Sequence, residues 1–170
     1  MTMKPGLRKF ALTAHVTCSV GWIGTVIAYI ALAIAGQISP DIQTVRAVWI
    51  AMELIGWYVI VPLALISLLT GIIMSLGTPW GLFRHYWVIF KLLLTVFSTF
   101  VLLLHMPLVS SLARLAEETD PTGLSRLPNE IFHPAGGLLL LLLIVTLSVY
   151  KPRGITPYGW KKQQKQHNHL

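Results

Sequence analysis

Five side chains in this sequence carry chemistry into otherwise apolar surroundings: His15, Glu53, His85, His105 and His133. Imidazole nitrogens ligate haem iron and first-row transition metals. A charged side chain at the centre of a membrane helix costs about 2.5–3.5 kcal/mol on insertion scales, so an ionisable residue kept there marks a candidate site. One candidate combines His105, His133 and Glu53. Two imidazoles and a carboxylate from three helices could hold a transition metal ion, or the histidines alone could ligate haem b. A second combines His15 and His85, with Cys18 on nearly the same helical face as His15. That face runs on through Trp22 toward Tyr29. Glu53 lies between Trp49 and Trp57 on one face, about two turns from Arg46. Its structural alternative is a carboxyl that is protonated, or paired with Arg46 or an outer-end histidine. For each histidine the alternative is a hydrogen bond between helices or a place at the membrane interface.

Arg84 and His85 belong to the string Gly77-Thr78-Pro79-Trp80-Gly81-Leu82-Phe83-Arg84-His85-Tyr86-Trp87, in which turn formers alternate with interface aromatics. The pair could engage an anionic headgroup, a quinone or a haem propionate. Lys91 is expected to snorkel back to the same surface. His85 and His105 stand roughly 20 residues apart, which is roughly 30 Å along a helix and places them on nearly opposite faces. Two stacked bis-histidine haems would therefore require His85 to belong to the loop. The chain has no Gly-rich phosphate loop, no paired-cysteine motif and no histidine pair flanking a glutamate.

The elements that position these residues are transmembrane helices. Hydrophobic residues make up 55% of the chain, only 11% is charged, and mean hydropathy is +0.70. A water-soluble fold of 170 residues cannot be covered with so few charges. The uncharged stretches predict spans at about 10–36, 47–76, 87–107 and 132–150, each near the roughly 20 residues that cross the hydrocarbon. Runs such as Leu138 to Val145 do not alternate, so strands are excluded. Short connections predict an all-α, four-helix transmembrane bundle in up-down-up-down order within residues 1–153. Pro62 should disturb the second span and Pro107 should end or weaken the third. Gly24 with Ala28, Ala31 with Ala35, and Ser67, Gly71 and Ser75 form small-residue stripes suited to close helix approach. The segment 154–170 reads as a disordered basic tail, with His167 and His169 solvated.

Charge sets the orientation. Lys4, Arg8, Lys9, Arg84, Lys91, Lys151, Arg153, Lys161, Lys162 and Lys165 fall on one side; Asp41, Glu117, Glu118, Asp120 and Glu130 fall on the other with Arg46, Arg114 and Arg126. The positive-inside rule then puts both termini in the cytoplasm, with the basic tail against anionic headgroups. The net charge of +7 thus answers to a membrane surface and not to nucleic acid. Ala33-Ile34-Ala35 imitates a signal-peptide cleavage site. The apolar run before it far exceeds the about 7–15 residues of a signal, so it reads as a retained first helix. With Cys18 as its one cysteine, the chain can form no internal disulfide.

Leu12-Thr13-Ala14-His15-Val16, Ser19-Val20-Gly21-Trp22-Ile23-Gly24, the Gly77–Trp87 string, His133-Pro134-Ala135-Gly136-Gly137 and Tyr150-Lys151-Pro152-Arg153-Gly154 resemble small bacterial four-span membrane proteins that carry a domain of unknown function. The resemblance covers about Leu7 to Trp160 and implies a bacterial cytoplasmic-membrane location. It brings no activity and no catalytic residue. A histidine followed by Gly-Trp-x-Gly on the first helix is also loosely similar to membrane haem and copper proteins.

The function expected from the sequence is a small cytochrome b-like or metal-binding redox protein that uses helix-borne histidines. The alternatives are a cofactor-free module (an oligomeric scaffold, or a transporter or sensor subunit, open to homo-oligomer formation) and an embedded enzyme acting on a lipid or quinone through Glu53, His15 or Arg84.

Overall fold

The computed structural model describes residues 3–77, 81–118, 128 and 130–167, nearly all of them helical. Thr78, Pro79 and Trp80 of the loop string, Asp120 and Arg126 of the acid-bearing side, and His169 lie outside the described residues. Helix α1 spans Pro5–Ile38, α2 Ile42–Gly77, α3 Tyr86–Glu118 and α4 Phe132–Tyr150; a short α5 spans Pro157–His167. The four long helices are apolar enough to cross a bilayer, and even the 19 residues of α4 match the roughly 30 Å hydrocarbon thickness. Their outward faces carry Phe90, Phe97, Phe100 and Leu104 on α3 and Leu139 and Val149 on α4, all exposed. Such a continuous apolar exterior is stable in lipid and not in water. The chain is a multi-pass membrane protein.

Each long helix packs on two neighbours, α1 on α2 and α4, and α3 on α2 and α4. The central core joins Trp22, Val26, Tyr29 and Ala33 of α1 to Met52, Ile60 and Ala64 of α2 and Leu141 and Ile144 of α4. The α1 residues recur at helical spacing, so one stripe faces inward along the whole helix. Lipid tails are as apolar as these side chains, so close packing rather than expulsion from water holds the helices together.

Pro62 acts as expected on α2. Lacking an N–H, it leaves the Tyr58 carbonyl without its helical donor, and the turn just before it, Gly56–Ile60, is a π-helix in which Val61 N–H reaches back to Gly56 O. This widened turn brings Gly56 against Met106 of α3: a Cβ on Gly56 would stand 2.5 Å from Met106 Cε.

Three expectations are corrected. The Gly24 and Ala28 stripe is not a contact face, because both residues are exposed and a Cβ on Gly24 would meet nothing within 4 Å. Close approach falls at Gly71 against His15, within the expected Ser67, Gly71 and Ser75 stripe, and also at Gly36 against Val48 and Gly56 against Met106. Helix α3 does not stop at Pro107; of the two expectations the continuation holds, and it goes beyond the expected Leu115 to Glu118. Its Val109, Leu112, Ala113 and Ala116 form a buried stripe, the last three against Trp49 of α2, and this packing outweighs the one lost bond. Finally, within the described part of the tail Pro157–His167 is a helix. Thr156 caps α5, its Oγ accepting from Gly159 N at 3.1 Å and donating to Phe83 O at 2.6 Å, with Pro157 in the first helical position. Backbone bonds from Thr156 N to Arg84 O and from Tyr86 N to Gly154 O fasten this segment to the start of α3.

Two ends of the bundle differ in charge. At the basic end Met3 N donates to Gly77 O, joining the start of α1 to the end of α2. At the acid end Asp41 caps α2 by accepting from Gln43 N and Thr44 N. Those bonds and the Thr44 hydroxyl hold the Asp41 carboxyl below the usual carboxylate range.

Candidate functional site

A cavity of about 620 Å³ lies toward the acid end among α1, α3 and α4. Trp22 and Tyr29 come to it from α1, Ser98, Leu102 and His105 from α3, and His133, Gly136 and Gly137 from the first turns of α4. The glycine pair makes the space. A Cβ at Gly136 or Gly137 would meet nothing within 4 Å, so these two positions of α4 leave space unfilled. Phe132, Leu139 and Leu143 line the cavity and are also exposed on the lipid-facing surface. The cavity is thus open to the bilayer at α4.

Its polar groups gather at one end. The His105 and His133 rings stack with centroids 3.6 Å apart and planes 9° from parallel. His105 Nε2 lies 2.9 Å from Glu130 Oε2, and both side chains are largely buried. Glu130 directly precedes α4, where the partial positive charge of a helix N-terminus favours a carboxylate. Pro134 fits the first turn of α4 because no helical N–H is needed there. Tyr29 is buried and lines the cavity.

Ser98 stands apart from the other hydroxyls in the spans. Thr95 and Thr99 beside it each donate to a carbonyl one turn back, at 2.8 Å, and so do Thr25, Thr70, Ser75 and Thr146 on the other helices. Ser98 Oγ is buried, lines the cavity and has no hydrogen-bond partner among the described residues. A buried hydroxyl left unpaired is costly.

The structure brings His105 and His133, the two histidines assigned to the acid end, together. The carboxylate that joins them is Glu130, not Glu53. Glu53 is half-buried on α2, does not line the cavity and bonds to no described residue. Among the described residues no three of His, Cys, Asp and Glu are arranged to hold a metal ion. Haem between His105 and His133 does not fit this arrangement, because axial ligands approach the iron nitrogen-first from opposite faces, whereas these rings lie face to face.

His15 and His85 are not joined. His15 Nδ1 lies 3.1 Å from both Ser67 O and Thr70 Oγ, and its Nε2 lies 3.5 Å from Lys91 Nζ. The Thr70 hydroxyl proton is engaged by Ile66 O at 2.7 Å, so Nδ1 is the donor to both and Nε2 is left to accept from Lys91. Lys91, expected to snorkel outward, turns into the bundle instead. Ser19 and Ser67 bond at 2.7 Å beside it. Cys18 is half-buried and free. His85 forms an isolated antiparallel bridge with Ile155, and Arg84 O accepts from Thr156 N, so both loop residues serve in fastening the tail.

The chain matches no family model, no curated protein and no solved structure. The cavity must therefore be read on its own chemistry.

Glu130, Ser98 and Tyr29 are site residues that the sequence did not reveal as such. For Ser98 a signal existed: Lys91, Thr95, Ser98 and His105 follow one face of α3 at helical spacing, a polar stripe that ends at the histidine. Glu130 showed only as one acid among several.

Proposed function

We propose that this protein binds a lipid-soluble small molecule that enters laterally from the bilayer, its polar head held by the His105, His133 and Glu130 cluster and its apolar part by the rest of the cavity. The helix-borne histidines thus stay at the centre of the function, but as hydrogen-bonding groups in place of the haem or metal ligands expected from the sequence. What carries this reading is the conjunction of an apolar, lipid-open cavity with a few convergent polar groups, the usual character of a small-molecule site.

The threading supports a site in the outer half of a cytoplasmic membrane. The bonds from Met3 to Gly77 and from Tyr86 to Gly154 accord with up-down-up-down order, and the concentration of cations at that end favours the cytoplasm for it and for both termini. The bacterial location rests on the resemblance of the loop strings.

The test is extraction of the detergent-purified protein with organic solvent, followed by mass spectrometry of what it carried, together with oxidised and reduced visible spectra and metal analysis. The expected result is a lipid-soluble compound in near-stoichiometric amount, absent from a Gly137→Leu variant that fills the cavity. A Soret band, or a bound metal lost in His105→Ala, would replace this reading with the haem or metal one. Extracts alike in both proteins would remove it.

A further inference from the structure

We infer that the cavity takes a lipid with an uncharged hydroxyl head, a long-chain alcohol in chemical class, whose oxygen accepts from Tyr29 and donates to His105. This rests on the cavity being a binding site, as proposed above, and adds the chemistry of the head that it holds.

Tyr29 on α1 and His105 on α3 come to the cavity at one level of the bundle. Tyr29 lies fourteen positions beyond His15 and His105 fourteen beyond Lys91, the two residues in contact nearer the basic end, a rise of roughly 20 Å on each helix. Tyr29 is only 5% exposed and lines the cavity. Its hydroxyl, unlike that of Ser98, is not closed off from accessible space, and it bonds to no described residue. Glu130 accepts from His105 Nε2, so the neutral imidazole keeps a lone pair at Nδ1, which also bonds to no described residue. The site thus offers a phenol O–H in want of an acceptor and an imidazole nitrogen in want of a donor. Leaving either unpaired away from water is costly. One hydroxyl satisfies both, whereas the oxygen of an ether, an ester or a ketone can only accept.

Charge excludes the ionic heads. Among the described residues no Lys or Arg lines the cavity, and Lys91 stands roughly 20 Å away along the bundle. A carboxylate, sulfate or phosphate head would enter an apolar wall with no cation to meet it. The Glu130 carboxylate, largely buried beside His105, would repel it as well. Glu130 does not itself line the cavity and is engaged by His105, so an ammonium head would give up its water without a counter-ion in contact. The opening past Phe132 and Leu139 leaves a route for the chain of the alcohol to remain in the bilayer.

The experiment titrates the purified full-length chain in detergent with ω-bromodecanol, whose bromine quenches tryptophan. Trp22 lines the cavity two turns from Tyr29, roughly 10 Å along α1. Decanol, decyl methyl ether, and decanoate and decylammonium held in their ionised forms then compete for the site, on wild type, Tyr29→Phe and Gly137→Leu. The expected result is saturable quenching, abolished by Gly137→Leu and reversed by decanol. The ether should compete roughly two- to tenfold less well, as for loss of one hydrogen bond, and the two ions about tenfold less well or worse. Tyr29→Phe should weaken decanol roughly two- to tenfold and leave the melting temperature of the probe-free protein unchanged, because its hydroxyl bonds to no protein group. Decanol binding unchanged in Tyr29→Phe, or the ether or either ion competing as well as decanol, overturns the hydroxyl head while leaving lateral binding in the cavity intact. Quenching unchanged in Gly137→Leu overturns both.

Discussion

Lys91 on α3 reaches across the bundle to His15 on α1, its Nζ 3.5 Å from the imidazole Nε2. A lysine inside the spans with an imidazole instead of a carboxylate for a partner holds its hydrogen bond only while His15 is neutral at Nε2. The Nδ1 bonds to Ser67 O and Thr70 Oγ fix that tautomer. Exchange of Lys91 for Met, similar in length and apolar, should leave thermal stability in detergent unchanged or raised, since a largely buried amine held by one long hydrogen bond is exchanged for apolar packing. Exchange of His15 for Ala should cost about 1–3 kcal/mol, because it strips partners from groups that stay half-buried. Equal destabilisation by the two variants would show that Lys91 itself holds the helices together.

The tail gives a second prediction. Thr156→Ala removes both the cap of α5 and the bond to Phe83 O, so α5 should loosen at a cost of about 1 kcal/mol for the cap. Limited proteolysis should cut near Tyr158 and Trp160 faster in the variant, with the four spans intact. Thr156→Ser keeps the hydroxyl and should protect as wild type does.

Two glycines inside the spans should behave differently. Gly56→Val places side-chain atoms on Met106, which is fully buried, and overpacking of this kind costs about 1–3 kcal/mol. Gly24→Val points into open space and should leave the melting temperature unchanged.

These contrasts mark how far the fold could be read in advance. Four apolar stretches parted by charges are enough to specify four helices, since backbone in lipid has few other ways to satisfy its hydrogen bonds. Pro62 and Ser39-Pro40-Asp41 marked a disturbance and a restart because their effects are local. The spacing of small residues was an uneven guide to which face meets which neighbour: in lipid both sides of a helix are apolar, so Gly24, paired with Ala28, is no contact while Gly56, between Met52 and Ile60, is one. The same holds for the site. His105 and His133 were legible as residue types out of place, and their meeting followed from both lying at the acid end. That Glu130 and not Glu53 joins them depends on a loop and on the rotation of α2, neither of which leaves a trace in residue spacing. Thr156-Pro157 was a helix-start signal hidden in a polar tail.

Asp41 sets a pH dependence. Three bonds from Gln43 and Thr44 favour its charged form, so its folded value lies below that of the unfolded chain. The capping contribution is fully present above the unfolded value and is lost as pH falls through the lowered folded one. The start of α2 should therefore keep its amide protection to a more acidic pH than an ordinary aspartate cap allows, as followed by hydrogen exchange at Gln43 and Thr44. Asp41→Asn, which accepts hydrogen bonds at every pH, should remove the dependence.

The claim on which the functional account turns is that the α3 and α4 cavity, and not the wider apolar exterior, takes up a molecule from the bilayer. Photolabelling in reconstituted membranes with a diazirine-bearing decyl alcohol, followed by peptide mass spectrometry, tests it directly. The account predicts adducts concentrated on cavity residues such as Leu102, Leu140 and Trp22, suppressed by excess unlabelled alcohol and by Gly137→Leu. Adducts spread over Phe97, Phe100 and Leu104 on the outward face of α3, unaffected by competitor or variant, would contradict it.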